Sequence, residues 1–313
     1  MVSVILPTYN RAHIIKKSIN SVLTQTHDNL ELIIVDDGST DETKELISSY
    51  KDNRIKYYSY KPNKGVVYAR NYGMKIASGD YIAFQDSDDI WHKDKLEKQI
   101  KAMENDDSVG FCYSRMQYML DSNSRIVLPQ YDVEVNSMSG NIFGKLLYDN
   151  LVACPCLIMK KECYDKIGGY DDQFTALEDY DYALRLAKEY KALFLDDILV
   201  DANMSSGGVS SNSTNYLVSS CYMLGKYKKD YLYYFDEYSK LRDKDFNRTL
   251  EEINNLKKNS LIHNARGAGR KAKFTDDQVD EIRRLREDGN TIKEIANRYN
   301  CSVGLIHKLI NEK

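Results

Sequence analysis

Short runs of apolar residues alternate with amphipathic stretches through the first third of the chain. Three of these runs are apolar on both faces and predict buried strands, at residues 2–6, 32–35 and 81–84. A more exposed strand is predicted at 55–60. Apolar residues three or four positions apart predict the helices between them, the first of which carries Ile14, Ile15, Ile19, Val22 and Leu23 on one stripe. Strands and helices alternating at this spacing indicate an α/β fold with a parallel, doubly wound sheet.

Proline, glycine and small polar residues mark where these elements end. Pro7 has no amide donor, so we expect the first strand to stop there. Gly38 permits a sharp turn after the second strand, and Thr40 or Asp41 can cap the helix that follows. Beyond the third buried strand the pattern is looser, and it predicts strands at 109–119 and 157–159 and helices at 142–147, 216–226 and 246–256.

The strand at 81–84 runs directly into Asp86, Asp88 and Asp89. Carboxylates are thereby delivered to the end of a sheet, which is where α/β proteins bind ligands. Packed carboxylates repel one another unless a cation lies between them, and oxygen ligands suit Mg²⁺ or Mn²⁺, which in turn hold a diphosphate. A solvated acidic loop is the alternative for this segment taken alone.

Five motifs in a fixed order connect this acidic segment to a known family. They are PTYN (7–10), VDDGSTD (35–41), NKGVVYARNYG (63–73), GDYIAFQDSDD (79–89) and GGYDDQFTALEDYDYALRLA (168–187). Over roughly residues 1–205 the chain resembles the family-2 glycosyltransferases of GT-A fold. The resemblance implies a Rossmann-like, doubly wound mixed sheet. It also implies transfer of a hexosyl group from a UDP-sugar to an acceptor hydroxyl, with inversion at the anomeric carbon.

The resemblance assigns the residues that match the motifs to the nucleotide-sugar donor. Tyr9 would stack on the uracil and Asp37 would accept its N–H. Arg70 would face the donor phosphates, because a guanidinium suits phosphate oxygens, and Asp86 would hold the ribose. The complete implied set is Pro7, Thr8, Tyr9, Asp37, Arg70 and Asp86.

Asp88 is implied as the ligand of an Mn²⁺ or Mg²⁺ ion that bridges the two phosphates. Asp89 can instead cap the turn before Trp91, Asp37 can merely cap its own turn, and Arg70 can be a surface residue of its helix. Relatives often carry a His or Arg near a Ser-x-Ser that reaches the diphosphate or metal. Residues 203–210 contain neither type, which weakens the metal assignment.

A second acidic cluster opens the helix predicted after residue 177. Acids are stabilised at any helix N-terminus, and Asp181 has an ion-pair partner four residues later in Arg185. An inverting transfer also needs one carboxylate to accept the proton of the attacking hydroxyl. The family places this base at the Asp of a Glu-Asp pair, which here is Asp179 beside Glu178.

The composition is that of an ordinary globular protein, with 42% hydrophobic and 29% charged residues among 313. No apolar run approaches the length of a membrane span and no charged-then-apolar leader precedes the first strand, so a cytoplasmic location is expected. Six cysteines lie at positions without zinc-finger spacing and are expected to be reduced and mostly buried. The oligomeric state cannot be read from the sequence.

The last 48 residues differ from the rest in charge: 266–313 has a balance of +3 and the remainder −6. Residues 266–273 form a basic, glycine-punctuated linker. Three helices follow, and they resemble the helix-turn-helix of resolvases and invertases; capping boxes at Thr275 and Thr291 open the first two, and the third follows a turn at Cys301 and Ser302. Duplex DNA would be contacted by Arg266, Arg270, Lys271, Lys273, Ser302 and Lys308, while Val303, Ile306 and Leu309 are expected in the core. A trihelical packing module is the alternative.

These features predict four segments: a GT-A catalytic domain at 1–210, a helical extension at 211–265, the linker at 266–273 and a helix-turn-helix domain at 274–313. An enzyme that transfers sugar and carries such a domain suggests a hydroxymethylated base in DNA as the acceptor, as in bacteriophage DNA modification. A cell-surface polysaccharide or glycan is the alternative acceptor. A DNA-binding protein with an inactive transferase domain is the third interpretation.

Overall fold

The computed structural model describes residues 1–104, 106–119, 125–130, 135–203, 213–234, 276–299 and 301–311, and the chain divides into two units, 1–246 and 247–313. The strands of the first unit are β1 Val2–Thr8, β2 Leu30–Asp36, β3 Ile55–Ser59, β4 Tyr81–Phe84, β5 Ile90–Trp91, β6 Val109–Met119, β7 Arg125–Leu128, β8 Ile158–Lys160 and β9 Lys191–Ala202. Its helices are α1 Ile15–Leu23, α2 Thr43–Ser48, α3 Val66–Ile76, α4 Lys95–Met103, α5 Phe143–Leu146, α6 Lys161–Ile167, α7 Glu178–Glu189, α8 Ser213–Lys226 and α9 Lys228–Tyr233.

The strands of the described ranges form one sheet in the order β3-β2-β1-β4-β8-β6-β9-β5, with β7 paired to β6. The half made of β3, β2, β1 and β4 is parallel, as the alternation of strands and helices predicts. Beyond it, β8 is antiparallel to both β4 and β6, whereas β6 and β9 are parallel. The sheet is therefore mixed and doubly wound, and the all-parallel arrangement holds for one half only.

The first strand does not end at Pro7, contrary to prediction, but continues to Thr8. The Ile5 carbonyl accepts the Gln85 amide on the β4 side, whereas the Thr8 carbonyl accepts the Asp37 amide on the β2 side. Pro7 lies two residues after Ile5, so its backbone nitrogen points along the sheet towards β4. Pairing between β1 and β4 has already ended at Ile5. The missing amide donor therefore removes no hydrogen bond from the sheet.

Successive residues of the central strands point to opposite faces, and each face has its own apolar core. Ile5, Ile33 and Phe84 pack with α3, α5 and α7 on one side. Val4 and Leu32 pack with α1 and α4 on the other. All six cysteines are free thiols, and Cys112, Cys154, Cys156 and Cys163 are buried, as expected.

Several weaker predictions can be compared directly with the structure. The strand at 109–119 matches β6, the helix at 142–147 is α5, the strand at 157–159 is β8 and the helix at 216–226 lies within α8. Asp41 rather than Thr40 accepts the amide of Thr43, the first residue of α2, and it also accepts the amide of Ala12 before α1. The predicted helix at 246–256 and the capping residue Thr275 lie outside the described residues. No helix in the described ranges is both long and apolar enough to cross a membrane.

The second unit contains α10 Asp276–Glu287, α11 Ile292–Arg298 and α12 Val303–Asn311. Its core is formed by one or two residues from each helix, namely Ile282, Ile295, Ala296 and Ile306. The predicted capping box is present, with reciprocal hydrogen bonds between Thr291 and Glu294. Val303 is not a core residue as predicted: it is the first residue of α12, at the end of the helix, and is 49% exposed.

Candidate active site

Helix α3 directs consecutive side chains of the ARNYG motif to different neighbours. A Cβ on Gly73 would lie 2.6 Å from Ile5 Cγ2, so glycine lets the helix lie close against β1. Asn71 donates to the Tyr170 carbonyl at 2.9 Å and accepts the Tyr170 amide at 2.7 Å. The helix is thus attached to the sheet on one side and to the loop before α7 on the other, and Arg70 lies between these attachments.

Arg70 joins two acidic segments that are far apart in the sequence. Its Nη1 donates to Glu178 Oε1 and its Nη2 to Asp86 Oδ1, both at 2.7 Å. The residue is only 5% exposed, so the interpretation of Arg70 as a surface residue is wrong. Because Asp86 follows β4 and Glu178 begins α7, this guanidinium connects the carboxyl end of the sheet with the N-terminus of a helix.

Asp179 follows Glu178 and is half-buried beside the Arg70 cluster. Its Oδ1 accepts the Tyr180 amide at 2.8 Å. Burial and the adjacent Glu178 carboxylate raise the pKa of Asp179 to about 7, against the opposing effects of Arg70 and the Tyr180 amide. A carboxyl group with a pKa near neutrality can exchange a proton with a substrate hydroxyl at physiological pH.

Asp181 lies two residues further along the same helix and has a different environment. It is completely buried, and it contacts Arg185 Nε at 2.8 Å, Lys226 Nζ at 2.7 Å and the Tyr227 hydroxyl at 2.9 Å. The ion pair with Arg185 is the one expected from the spacing. Asp181 therefore holds α8 and α9 against α7 and has no access to the site.

The three acids after β4 differ in their contacts. Asp86 is paired with Arg70, and its side chain is 30% exposed. Asp88 is half-buried, and its carboxylate makes no hydrogen bond or ion pair within the part of the chain that the structure describes. Asp89 is buried and accepts the Asn203 amide at 3.0 Å, so it contacts the end of β9. Burial, with the charges of Asp86 and Asp88, raises the pKa of Asp89 to about 8.

Asp88 is the acid in this group whose contacts leave it available to a metal ion. Mg²⁺ is usually held by one or two protein carboxylates together with substrate phosphates. An uncommitted, partly exposed carboxylate fits that chemistry. Among the residues described, no group of three or more His, Cys, Asp or Glu is arranged to hold a metal by itself.

The end of β1 places the PTYN residues at the same edge of the sheet. Pro7 and Thr8 are buried, and Tyr9 is 46% exposed. The Thr8 hydroxyl is buried and has no hydrogen-bond partner. A buried hydroxyl of this kind is available to a ligand atom.

Asp37 connects the end of β2 to the start of α3. Its two carboxylate oxygens accept the amides of Lys64 at 2.6 Å and Gly65 at 2.7 Å. Gly65 has φ 89°, which glycine adopts without strain. These are the contacts of a turn-capping residue, although each oxygen keeps a second lone pair for a uracil N–H.

Tyr170 is a residue of the site that the sequence interpretation missed. Its ring stacks on Tyr182 with centroids 4.4 Å apart, and the Arg70 guanidinium lies 5.6 Å from its centroid. Its hydroxyl is 3.5 Å from Cys154 Sγ. A Cβ on Gly169 would lie 2.3 Å from Asn71 Oδ1, so only glycine permits this close approach. An aromatic residue directly after two glycines was the available signal.

Comparison with known proteins agrees with this geometry. Residues 3–168 match the protein family described as "Glycosyl transferase family 2". The glucosyltransferase WfgD of Escherichia coli, described as "UDP-Glc:alpha-D-GlcNAc-diphosphoundecaprenol beta-1,3-glucosyltransferase", is 33% identical over 232 residues, which cover 72% of this chain and 86% of WfgD. The chain belongs to glycosyl transferase family 2.

Other relatives and solved structures match over different shares of their length. An uncharacterized glycosyltransferase of Rickettsia bellii is 43% identical over 159 residues, which are 50% of this chain but only 22% of the Rickettsia protein. Among solved structures, S. aureus TarS 1-349 in complex with UDP-GlcNAc has a TM-score of 0.57 at 16% identity, covering 99% of this chain and 90% of that one. The mannosyltransferase PcManGT of Pyrobaculum calidifontis, in complex with GDP-Man and Mn2+, has a TM-score of 0.55 at 22% identity, covering 69% and 60%. These structures show the GT-A fold.

Residues 269–306 match the family described as "Helix-turn-helix domain of resolvase", so the second unit is of this type. Ser302, which precedes α12, is exposed, and so are Val303, Gly304 and His307 in the first half of that helix. The side chain of Lys308 is not among those described. The predicted DNA contacts Arg266, Arg270, Lys271 and Lys273 also lie outside the described residues.

Proposed function

We propose that the chain transfers a hexosyl group from a UDP-sugar to an acceptor hydroxyl with inversion, and that Asp179 is the general base. The observation that carries this proposal is the position of Asp179. It is a half-buried carboxyl group with a pKa raised to about 7, adjacent to the Arg70, Asp86 and Glu178 cluster at the carboxyl edge of the sheet. Family membership supports the same reaction class.

In this mechanism Asp179 accepts the proton of the acceptor hydroxyl as its oxygen attacks the anomeric carbon. The bond from that carbon to the diphosphate breaks, and the leaving group gains negative charge. Arg70 would stabilise that charge, because its guanidinium is already held at the sheet edge by Asp86 and Glu178. Glu178 holds Arg70 and keeps the pKa of Asp179 high, so it is a positioning residue.

The donor would lie along the carboxyl ends of β1, β2 and β4. Tyr9 is exposed enough to stack on the base, and the unpartnered Thr8 hydroxyl and Asp37 would hydrogen-bond to it. Asp86 would hold the ribose. Asp88, with the diphosphate oxygens, would hold Mn²⁺ or Mg²⁺, which neutralises phosphate charge when bound. The UDP-GlcNAc complex of TarS and the Mn2+ complex of PcManGT support this choice of donor and metal.

Metal dependence can be tested by nucleotide binding alone. UDP should bind in Mn²⁺ or Mg²⁺ and much more weakly in chelator, and Asp88→Ala in Mn²⁺ should behave like the chelated wild type. Equal UDP affinity with and without metal would remove the metal assignment of Asp88.

For the acceptor, we favour a saccharide linked to a lipid diphosphate. WfgD, which aligns over 86% of its length, is named for an acceptor of this kind. The second candidate is a hydroxymethylated base in duplex DNA, and the specific observation in its favour is the resolvase-type helix-turn-helix. Such a module would raise the local concentration of a DNA acceptor.

One experiment separates the two acceptors. Labelled UDP-sugars would be incubated with the full chain and with a GlcNAc-diphospholipid, hydroxymethylated DNA or unmodified DNA. Label in the lipid fraction supports the saccharide acceptor, and label in hydroxymethylated DNA alone supports the DNA acceptor. Binding of UDP without transfer to either would favour a binding protein with an inactive transferase domain.

A further inference from the structure

Helix α8 exposes an apolar side. Val218 is 56% exposed and Leu224 is 47% exposed, and Cys221 between them is also exposed. Spacings of three residues place these side chains on one side of the helix. Ser219 and Met223 lie on the opposite side of α8 and are buried against the rest of the first unit.

Helix α9 begins two residues after α8 ends, and it exposes both apolar and positively charged side chains. Leu232 is 63% exposed and Tyr233 is 83% exposed. Lys228 and Lys229 are exposed and precede these two residues by four positions each, so each lysine shares a face with one large apolar side chain. We call the set Val218, Cys221, Leu224, Lys228, Lys229, Leu232 and Tyr233 the α8–α9 face.

The α8–α9 face is attached firmly to the segment that leads to Asp179. The Ala176 amide donates to Ser219 Oγ at 3.1 Å, and the ring of Tyr222 lies 4.8 Å from that of Phe174. Lys226 Nζ contacts the carboxylates of Asp171 and Asp181, both at 2.7 Å. Whatever binds this face is therefore held beside the start of α7, where Asp179 lies.

We propose that the α8–α9 face binds the surface of an anionic bilayer. This proposal rests on the lipid-diphosphate acceptor proposed above. Apolar side chains on one face enter the boundary between head groups and acyl chains, while lysine ammonium groups on the same face stay at the level of the lipid phosphates. Duplex DNA would satisfy the lysines but leave Leu232 and Tyr233 in water. The mixture of charge and apolar area therefore matches a bilayer surface better than a nucleic acid.

The test is flotation of the full chain with vesicles of phosphatidylcholine, with or without phosphatidylglycerol, in the absence of substrates. The wild type should bind the phosphatidylglycerol vesicles and be released by salt, because the lysine contribution is screened. Lys228→Glu/Lys229→Glu should lower the partition coefficient by roughly tenfold or more. Leu232→Ser/Tyr233→Ser should lower it by about tenfold at any salt concentration. Lys16→Glu/Lys17→Glu, a change at two exposed adjacent lysines of α1, is the matched control and should bind like the wild type.

Three outcomes would overturn the proposal. The first is that the wild type does not bind vesicles, and the second is that the α1 control loses as much vesicle binding as the α9 variants. The third is that the α9 variants bind vesicles like the wild type. Loss of DNA retention or of self-association in those variants would then identify DNA or a second copy of the chain as the occupant of the face. Vesicle binding is measured without transfer. If the wild type and both α9 variants transfer sugar to a water-soluble saccharide equally well but none floats with vesicles, the bilayer proposal fails and the proposed function stands.

Discussion

The two ends of the parallel strands hold buried carboxylates in opposite electrostatic conditions. At the amino end, Glu31 forms an ion pair with Lys56 and accepts the Ser3 hydroxyl and both the amide and the hydroxyl of Ser78. Burial alone would raise its pKa, but these partners outweigh burial and lower the pKa of Glu31 from 4.5 to about 2.

At the carboxyl end the balance is reversed. Asp179 is half-buried and Asp89 is buried, both near other carboxylates, and their pKa values are raised to about 7 and about 8. The positive charge of Arg70 is shared between Asp86 and Glu178, so it does not neutralise all of the carboxylates at this end of the sheet. The amino end of the sheet is thus organised for stability, whereas the carboxyl end keeps acids that are costly to ionise and therefore useful in proton transfer.

The largest effect should come from Asp179→Asn. Loss of the general base should lower transfer by roughly 10²–10⁴-fold, while UDP affinity is retained. Because the folded-state pKa of Asp179 is raised, the stability linked to its protonation is full below the unfolded value of 3.8 and is lost as pH rises through about 7. The variant should therefore be as stable as the wild type or more so above pH 7, as measured by urea unfolding.

Asp181→Asn is the control for that prediction. Asp181 has three charged or polar partners and no access to the site, so this change should lower stability and leave the pH profile of transfer in place. Retained turnover in Asp179→Asn would move the base to Glu178.

Glu31→Gln should give the opposite result from Asp179→Asn, with stability lost and transfer retained. Removing a buried, charged hydrogen-bonding group should cost about 1.5–3 kcal/mol of unfolding free energy. The folded pKa is lowered, so the contribution of Glu31 is present above its unfolded pKa of 4.5 and is lost as pH falls through about 2. Urea unfolding at pH 7 and near pH 2 should show a difference that disappears at the lower pH. A difference of equal size at both would contradict the ion pair as its source.

Gly169→Ala tests whether the support of the carboxyl end also contributes stability. The new Cβ would lie 2.3 Å from Asn71 Oδ1 and disturb both Asn71–Tyr170 hydrogen bonds, at a cost of about 1–3 kcal/mol. Gly225→Ala is the matched control, because no atom lies within 4 Å of the added Cβ and the residue is inside α8. It should be neutral or stabilise the protein by roughly 0.5–1 kcal/mol. Equal unfolding midpoints for the two variants would show that the close approach has no energetic consequence.

The last prediction concerns the pH profile of transfer by the unchanged protein. Asp179 acts as a base only when it is ionised, so kcat/KM should fall about tenfold for each pH unit below its pKa of about 7 and be level above it. Glu31, with a pKa of about 2, stays ionised over this range and should contribute nothing to the profile. An acidic limb of kcat/KM near pH 4 would contradict the raised pKa of Asp179, because kcat/KM reports the ionisation of the free enzyme.

The sequence alone predicted the elements whose signal is local. The apolar runs of β1, β2 and β4, the bounds of β6 and the capping box of Thr291 and Glu294 follow from hydrophobic pattern and side-chain chemistry within a few residues. The five sequence motifs between residues 7 and 187 indicated the family and the fold before any contact was known. They also identified the acids, because strand ends and helix starts are visible in the sequence.

Only the tertiary structure decided which acid is compensated and which is not. Asp179 and Asp181 are two residues apart on one helix, yet Asp181 contacts Lys226 at the end of α8 and Tyr227 directly after it, while Asp179 lies near Arg70 and Glu178. The insertion of β8 between β4 and β6 and the exposed position of Val303 also depend on packing. Burial and charge partners come from residues distant in the chain, so neither pKa nor accessibility can be read from local spacing.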